Sequence, residues 1–207
     1  MKKILFFTVM LLLPVATNAQ LALKVGLTGN VAVGNMSDFW DGGPGVDVNL
    51  KYLFAKHFGV GISTGFHHFF GDDGKKWDDE YVDYNDVGLN IVPLRLSFTY
   101  YLGTRRFKPY IGAELGVNYV KLDFSEKYSY YDPYYGTLWS SKTISDDNVR
   151  FGAAPVVGFH IDFGDSVVGL DIDTKLNYIS DTDDYASKQK ALYLNLNLGL
   201  VFRLWKP

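Results

Sequence analysis

Ser63 and His67 are the first residues in this chain that could do chemistry together. They stand four apart, so in an extended segment both side chains share one face. A serine beside a histidine and an acid is the constellation of nucleophilic hydrolysis. No nucleophile motif surrounds Ser63, however, and an ordinary hydrogen-bonded histidine accounts for His67. His160 falls on the corresponding face of a later segment and is open to the same reading, or to pH sensing. The acidic stretch Asp72, Asp73, Asp78, Asp79, Glu80, Asp83, Asp86 offers oxygen ligands for a divalent cation. It lacks EF-hand spacing, and a solvated loop is the simpler reading. No catalytic, cofactor or metal site is therefore assigned, and the chain is not read as an enzyme.

Two further sets carry more weight. Tyr128, Tyr130, Tyr131, Tyr134, Tyr135 and Trp139 crowd one stretch. Exposed aromatics favour binding surfaces, so this is the candidate partner-binding loop. The alternative is a long hairpin whose rings pack on one another. The second set is Lys24, Asp47, Lys51, Arg95, Glu114, Arg150, Asp171, Asp173, Lys175 and Arg203. All occur at one parity of extended segments whose other parity is apolar.

The last such segment shows this parity best. From Ala191 to Trp205, Leu192, Leu194, Leu196, Leu198, Leu200, Phe202 and Leu204 alternate with Tyr193, Asn195, Asn197, Gly199, Val201 and Arg203. One face of that strand is wholly apolar. The alternation recurs in eight segments: Leu21 to Val33, Gly45 to Phe54, Phe58 to Phe70, Val87 to Tyr101, Pro109 to Leu122, Val149 to Asp162, Val167 to Ile179 and Ala191 to Trp205. In the fourth, Val87, Leu89 and Ile91 fit one phase and Leu94, Leu96, Phe98 and Tyr100 the other. That slip predicts a β-bulge at Pro93. Pro155 suggests a second bulge in the sixth segment. Connectors alternate: Asn35–Pro44, Gly71–Asp86, Asp123–Asn148 and Ser180–Lys190 are long, and those between are short.

Composition narrows the class. The 207 residues suit one domain, and Cys is absent. Residues 1–19 read as a secretory signal, with Lys2 and Lys3, an apolar run from Ile4 to Val15 and small-residue cleavage context at Thr17-Asn18-Ala19. Residues 20–207 form the domain. The net charge of −3 argues against a nucleic-acid partner. Sustained period-two alternation behind a secretion signal fits an all-β, transmembrane, antiparallel up-and-down β-barrel of eight strands in a bacterial outer membrane. An even strand count puts both termini in the periplasm. The apolar parity then faces lipid, and the charged parity fills the lumen as an ion-pair network. Outward rings gather near the strand ends, as interfacial girdles do. The inverse, a soluble lipocalin-like barrel with its apolar parity inside, is the competing fold.

Ile91-Val92-Pro93-Leu94-Arg95-Leu96 and the run from Arg106-Phe107-Lys108-Pro109-Tyr110 through Glu114-Leu115-Gly116-Val117-Asn118-Tyr119 resemble the outer membrane protein beta-barrel domain family, of PorT-like type. More broadly the chain is similar to small barrels of the OmpA and OmpX kind. Asn197, Gly199, Phe202 and Leu204 resemble the C-terminal signal read by the barrel-assembly machinery. The resemblance implies outer-membrane lipid and that machinery as partners, no cofactor, and a structural or surface-interaction role. Its alternatives are a narrow solute channel, an accessory barrel of a secretion system with a protein partner, or a lipid-modifying enzyme.

Overall fold

The computed structural model describes residues 20–54, 56–71, 83–103, 106–132, 134, 136–164, 166–180 and 191–205. The signal segment 1–19, most of the acidic stretch and the Ser180–Lys190 connector after its first residue lie outside these. Eight strands run β1 (Gln20–Val33), β2 (Gly43–Leu53), β3 (Phe58–Phe70), β4 (Asp83–Tyr101), β5 (Phe107–Asp132), β6 (Gly136–Asp162), β7 (Val168–Ile179) and β8 (Ala191–Trp205). Each pairs antiparallel with its neighbours in sequence, and β8 returns to β1 to close the barrel. Closure leaves no sheet edge in the barrel wall, so ladder bonds satisfy the backbone without water.

The apolar parity faces out. Leu27 is 72% exposed and Leu196 60%, whereas Asn195 and Asn197 are fully buried. A lipocalin-like inversion is thereby excluded. Outward rings collect at two levels, with Tyr52, Phe98, Tyr100, Phe107 and Phe163 towards the termini and Phe66, Phe70, Tyr119 and Phe151 towards the long connectors. Aliphatic side chains fill the band between. Rings at both interfaces and aliphatics in the hydrocarbon match the solvation each prefers.

Three readings need correction. First, β4 keeps one parity throughout: Leu89, Ile91, Arg95, Ser97 and Thr99 are all buried in the lumen. Val92 pairs Tyr119 and Pro93 pairs Asn118 without a shift, and the irregularity lies between Asn85 and Gly88. Leu89 and Ile91 face inward because the lumen is apolar at that height. Second, Pro155 makes no bulge. It pairs Ala113 in register, and the β6–β7 ladder merely skips it. The β3–β4 ladder skips Pro93 in the same way. Each ring removes one donor on one side and leaves the register unchanged. Third, Asp123–Asn148 is largely strand, because β5 and β6 pair in unbroken register to Asp132 and Gly136.

At the closing seam Gly26 stands opposite Gly199. A Cβ on Gly26 would lie 2.2 Å from Asn197 Oδ1, and one on Gly199 would lie 2.9 Å from Lys24 Cε. These glycines are small because neighbouring polar side chains lie flat across them. Replacement of Gly26 by Val should overpack the seam and cost about 1–3 kcal/mol in urea unfolding from lipid vesicles. Nitroxide labels give a second check: a label at Leu196 should relax with lipid-dissolved oxygen, while one at Asn195 should be shielded from it.

Candidate functional site

The lumen is layered. Nearest the termini, Asp162 Oδ2 takes Lys108 Nζ at 2.6 Å, and its Oδ1 lies 2.8 Å from Arg203 Nη2 and 2.9 Å from His160 Nε2. Above this, Tyr101, Tyr110 and Val156 pack together with Leu53. Lys51 Nζ sits 5.1 Å from the Tyr110 ring centre and 3.4 Å from the Tyr101 hydroxyl.

The central layer is charged. Lys24 is paired with both Asp171, at 2.7 Å, and Asp173. The Tyr110 hydroxyl lies 2.8 Å from Asp171 Oδ1 and 3.0 Å from Asp173 Oδ2. Lys175 Nζ bridges Asp47 at 2.9 Å and Glu114 at 3.1 Å. Asp47 also meets His67 Nε2 at 2.8 Å and accepts from Asn197 at 3.0 Å. Arg95, 2% exposed, is held by Asn118 and Asn177 and lies 3.9 Å from Glu114. Lys24, Lys51, Arg95 and Lys175 thus face Asp47, Glu114, Asp171 and Asp173. The positive and negative sets match in number, as burial of charge requires.

Above the charges the lumen turns apolar. Ala32, Phe69, Leu89, Ile91, Val120, Ile179 and Tyr193 form one buried cluster. Met36, from a 3-10 turn at Gly34–Asp38, is buried with them, and Trp40 packs alongside. The Tyr193 hydroxyl joins the two layers through His67 Nδ1 at 2.9 Å. A cavity of about 20 Å³ lies in the charged layer, lined by Lys24, Asp47, Asn49, Lys51, Tyr110, Asp173 and Lys175 among others. It has room for roughly one water molecule.

These positions settle several chemical possibilities. His67 is held by Asp47 and Tyr193, while the buried Ser63 Oγ has no hydrogen-bond partner. Ser63 and His67 therefore form no couple. His160 is engaged by Asp162, and Asp171 lies 3.5 Å from its Nδ1. Arg150 has no ion pair among the described residues, and its Nε is buried without a partner. No metal-ligating cluster occurs among them either. In the aromatic set, Tyr128, Tyr130 and Tyr131 belong to β5 and Trp139 to β6, and Tyr134 is 93% exposed. Tyr135 and the side chains of the other four lie outside the described residues. At the foot of this hairpin a polar row crosses the outer face. His68 meets Asn90 Oδ1 at 2.8 Å, Asn90 donates to Asp123 at 3.3 Å, and Lys121 pairs Asp123 at 2.9 Å. The hydrogen bond from Lys121 holds the Asp123 carboxyl below its ordinary pKa.

The apolar cap was missed in the sequence. Phe69, Val120 and Ile179 stand at lumen parity, so alternation alone could have placed them. Met36 gave no periodic signal, because it comes from a turn.

A closed eight-stranded barrel with a lipid-compatible exterior and a self-neutralised interior defines a small transmembrane outer-membrane barrel. The chain belongs to the outer membrane protein beta-barrel domain family, whose model matches residues 5–203. In fold it is similar to Neisserial surface protein A, at 15% identity, with a TM-score of 0.57 over 90% of this chain and 99% of that one. It is also similar to Ail, the attachment invasion locus protein of Yersinia pestis, at 13% identity and a TM-score of 0.51 over 91% and 100%. OprG of Pseudomonas aeruginosa gives 13% identity and 0.50 over 90% and 96%. No curated protein sequence matches the chain.

Removal of one member of the central network should expose its value. Asp47→Ala leaves Lys175, His67 and Asn197 without their shared acceptor. A loss of about 3–5 kcal/mol is expected on urea unfolding in vesicles. Pairing that change with Lys175→Met should restore part of it, since the buried ammonium left short of one carboxylate is then gone.

Proposed function

We propose that this protein is a non-conducting, non-catalytic outer-membrane barrel that displays the β5–β6 hairpin to the cell exterior as an interaction surface. Both termini lie in the periplasm in this reading. The observation that carries it is the filled lumen. Paired charges occupy the middle, an apolar cluster closes the long-connector end, and the cavity among the charges is about the size of one water. A solute path would need that packing to open. A hydrolytic site would need a nucleophile beside its base, and Ser63 has none. What remains available to partners is the part beyond the membrane band. There the hairpin stands tall, and its tip residue Tyr134 is almost wholly exposed. Short connectors at the termini end and longer segments at the other follow the orientation of outer-membrane barrels.

The related folds support a surface role by analogy of architecture alone. Neisserial surface protein A is by name a surface protein, and Ail is by name the attachment invasion locus protein of Yersinia pestis.

Two measurements test this. In planar bilayers the purified barrel should show no steady conductance, and a stable open level would overturn the filled-lumen reading. Since the chain has no Cys, Tyr134→Cys would be its sole thiol. An impermeant maleimide should label that variant on intact cells. Labelling only after permeabilisation would place the hairpin on the periplasmic side.

A further inference from the structure

The floor of the lumen, at the end that carries the termini, holds more positive charge than it neutralises. Lys108 and Arg203 both close on Asp162, at 2.6 Å and 2.8 Å, and His160 takes the same carboxylate at 2.9 Å. Arg106 stands beside them. Its carbonyl accepts the Asp162 N–H at 2.8 Å, and a Cβ on Gly164, in the turn after β6, would lie 4.0 Å from its Nη2. Three permanent cations thus share this level with Asp162, the one carboxylate there among the described residues. Neighbours in sequence do not cancel the excess, since Arg105 and Lys206 add two positive charges and Asp165 one negative. The charged layer above is balanced in itself and lends no spare carboxylate. Arg203 Nε is buried without a hydrogen-bond partner, so Asp162 does not saturate that guanidinium. The excess is local, because the whole chain carries −3 and the connectors at the opposite end are acidic, with Asp38, Asp41 and the stretch 72–86.

We infer that this rim binds the phosphodiester of an anionic phospholipid, with Arg106 and Lys108 as its contacts. Arg106 is exposed and the Lys108 side chain is a quarter exposed, so an anion from outside reaches both. A guanidinium offers a phosphate two parallel donors, and an ammonium beside it adds a point charge. The surplus also selects the head. A zwitterionic headgroup brings its own ammonium into the cationic field and loses part of the attraction, whereas a net-negative one does not. The rings fix the height. Phe107, next to Arg106, is exposed to lipid and packs on Phe159 with 5.4 Å between ring centres. Aromatic rings sit at the boundary between acyl chains and headgroups, so the residue beyond Phe107 lies at phosphate level. In the orientation proposed above this is the periplasmic leaflet. The inference is otherwise independent of the surface role, which concerns the other end of the barrel.

The test uses the full barrel in nanodiscs of phosphatidylcholine, titrated with phosphatidylglycerol. The added lipid enters both leaflets, so the outcome does not depend on how the barrel is oriented in cells. Amide resonances of Arg106, Lys108, Asp162 and Gly164 should shift as phosphatidylglycerol is added, while those of Asn90 and Lys121 at the far end stay in place. Arg106→Gln should weaken the apparent affinity about fivefold, the worth of one cation near a membrane surface, and Arg106→Lys should keep most of it. Asp162→Asn removes the competing carboxylate and should strengthen the response, whereas damage to the fold would weaken it. Lys56→Gln, on the exposed turn between β2 and β3, takes a charge from the same rim outside this cluster and should change little. No shift at Arg106 and Lys108, a weaker response in Asp162→Asn, or an equal loss in Lys56→Gln would each overturn the inference. Equal shifts from inorganic phosphate in pure phosphatidylcholine would overturn it in favour of a free anion. Stronger shifts from a soluble poly-glutamate peptide would do so in favour of an acidic protein.

Discussion

The ammonium groups of Lys24 and Lys175 have no route to bulk water through the barrel wall. Hydrocarbon lies outside that wall, and an apolar cluster closes one end of the tube. Each charge must therefore be met by another side chain at bonding distance, and most of the interior follows from this demand. Asp171 and Asp173 serve Lys24, while Asp47 and Glu114 serve Lys175. Inward glycines such as Gly26 and Gly199 clear the space that these side chains lie in. Asn118 on β5 and Asn177 on β7 hold Arg95, and Asn197 on β8 donates to Asp47. Replacing any one of them by an apolar group leaves a partner stranded, which is why the network acts as a unit.

The exterior answers to a simpler rule. Aliphatic side chains face the band between two ring girdles, and no specific partner is needed there. This explains how chains with only 13–15% identity share the barrel. Parity, turn placement and strand length define such a fold, and many sequences satisfy them. Identity at any single outward position carries little information. Inward positions are more demanding, because they must agree in charge and volume with residues on other strands.

The sequence displayed the barrel well, since period-two alternation is a local signal that each strand carries by itself. β3 and β8 were bounded to the residue on this basis. It displayed less of the lumen. Leu89 and Ile91 were assigned outward because apolar side chains were equated with lipid, yet the same chemistry also closes the mouth. The proline reading failed for a related reason. A missing donor does not require an extra residue, and β4 and β6 tolerate the gap on one side of an otherwise regular ladder. Which cation meets which carboxylate was not legible, because that depends on shear around the closed sheet. The hairpin length was hidden by its polar, alternating composition, which reads equally as loop or as strand above a membrane.

The pairing of Lys24 with Asp171 and Asp173 spans nearly 150 positions of chain. No contiguous portion of the polypeptide holds both halves of that neutralising contact until β7 has been delivered. A partly assembled sheet lacking its final strands would carry a naked ammonium on what will become its inner surface. High contact order of this kind favours slow maturation, and it ties the neutralisation of a first-strand ammonium to the arrival of the seventh strand.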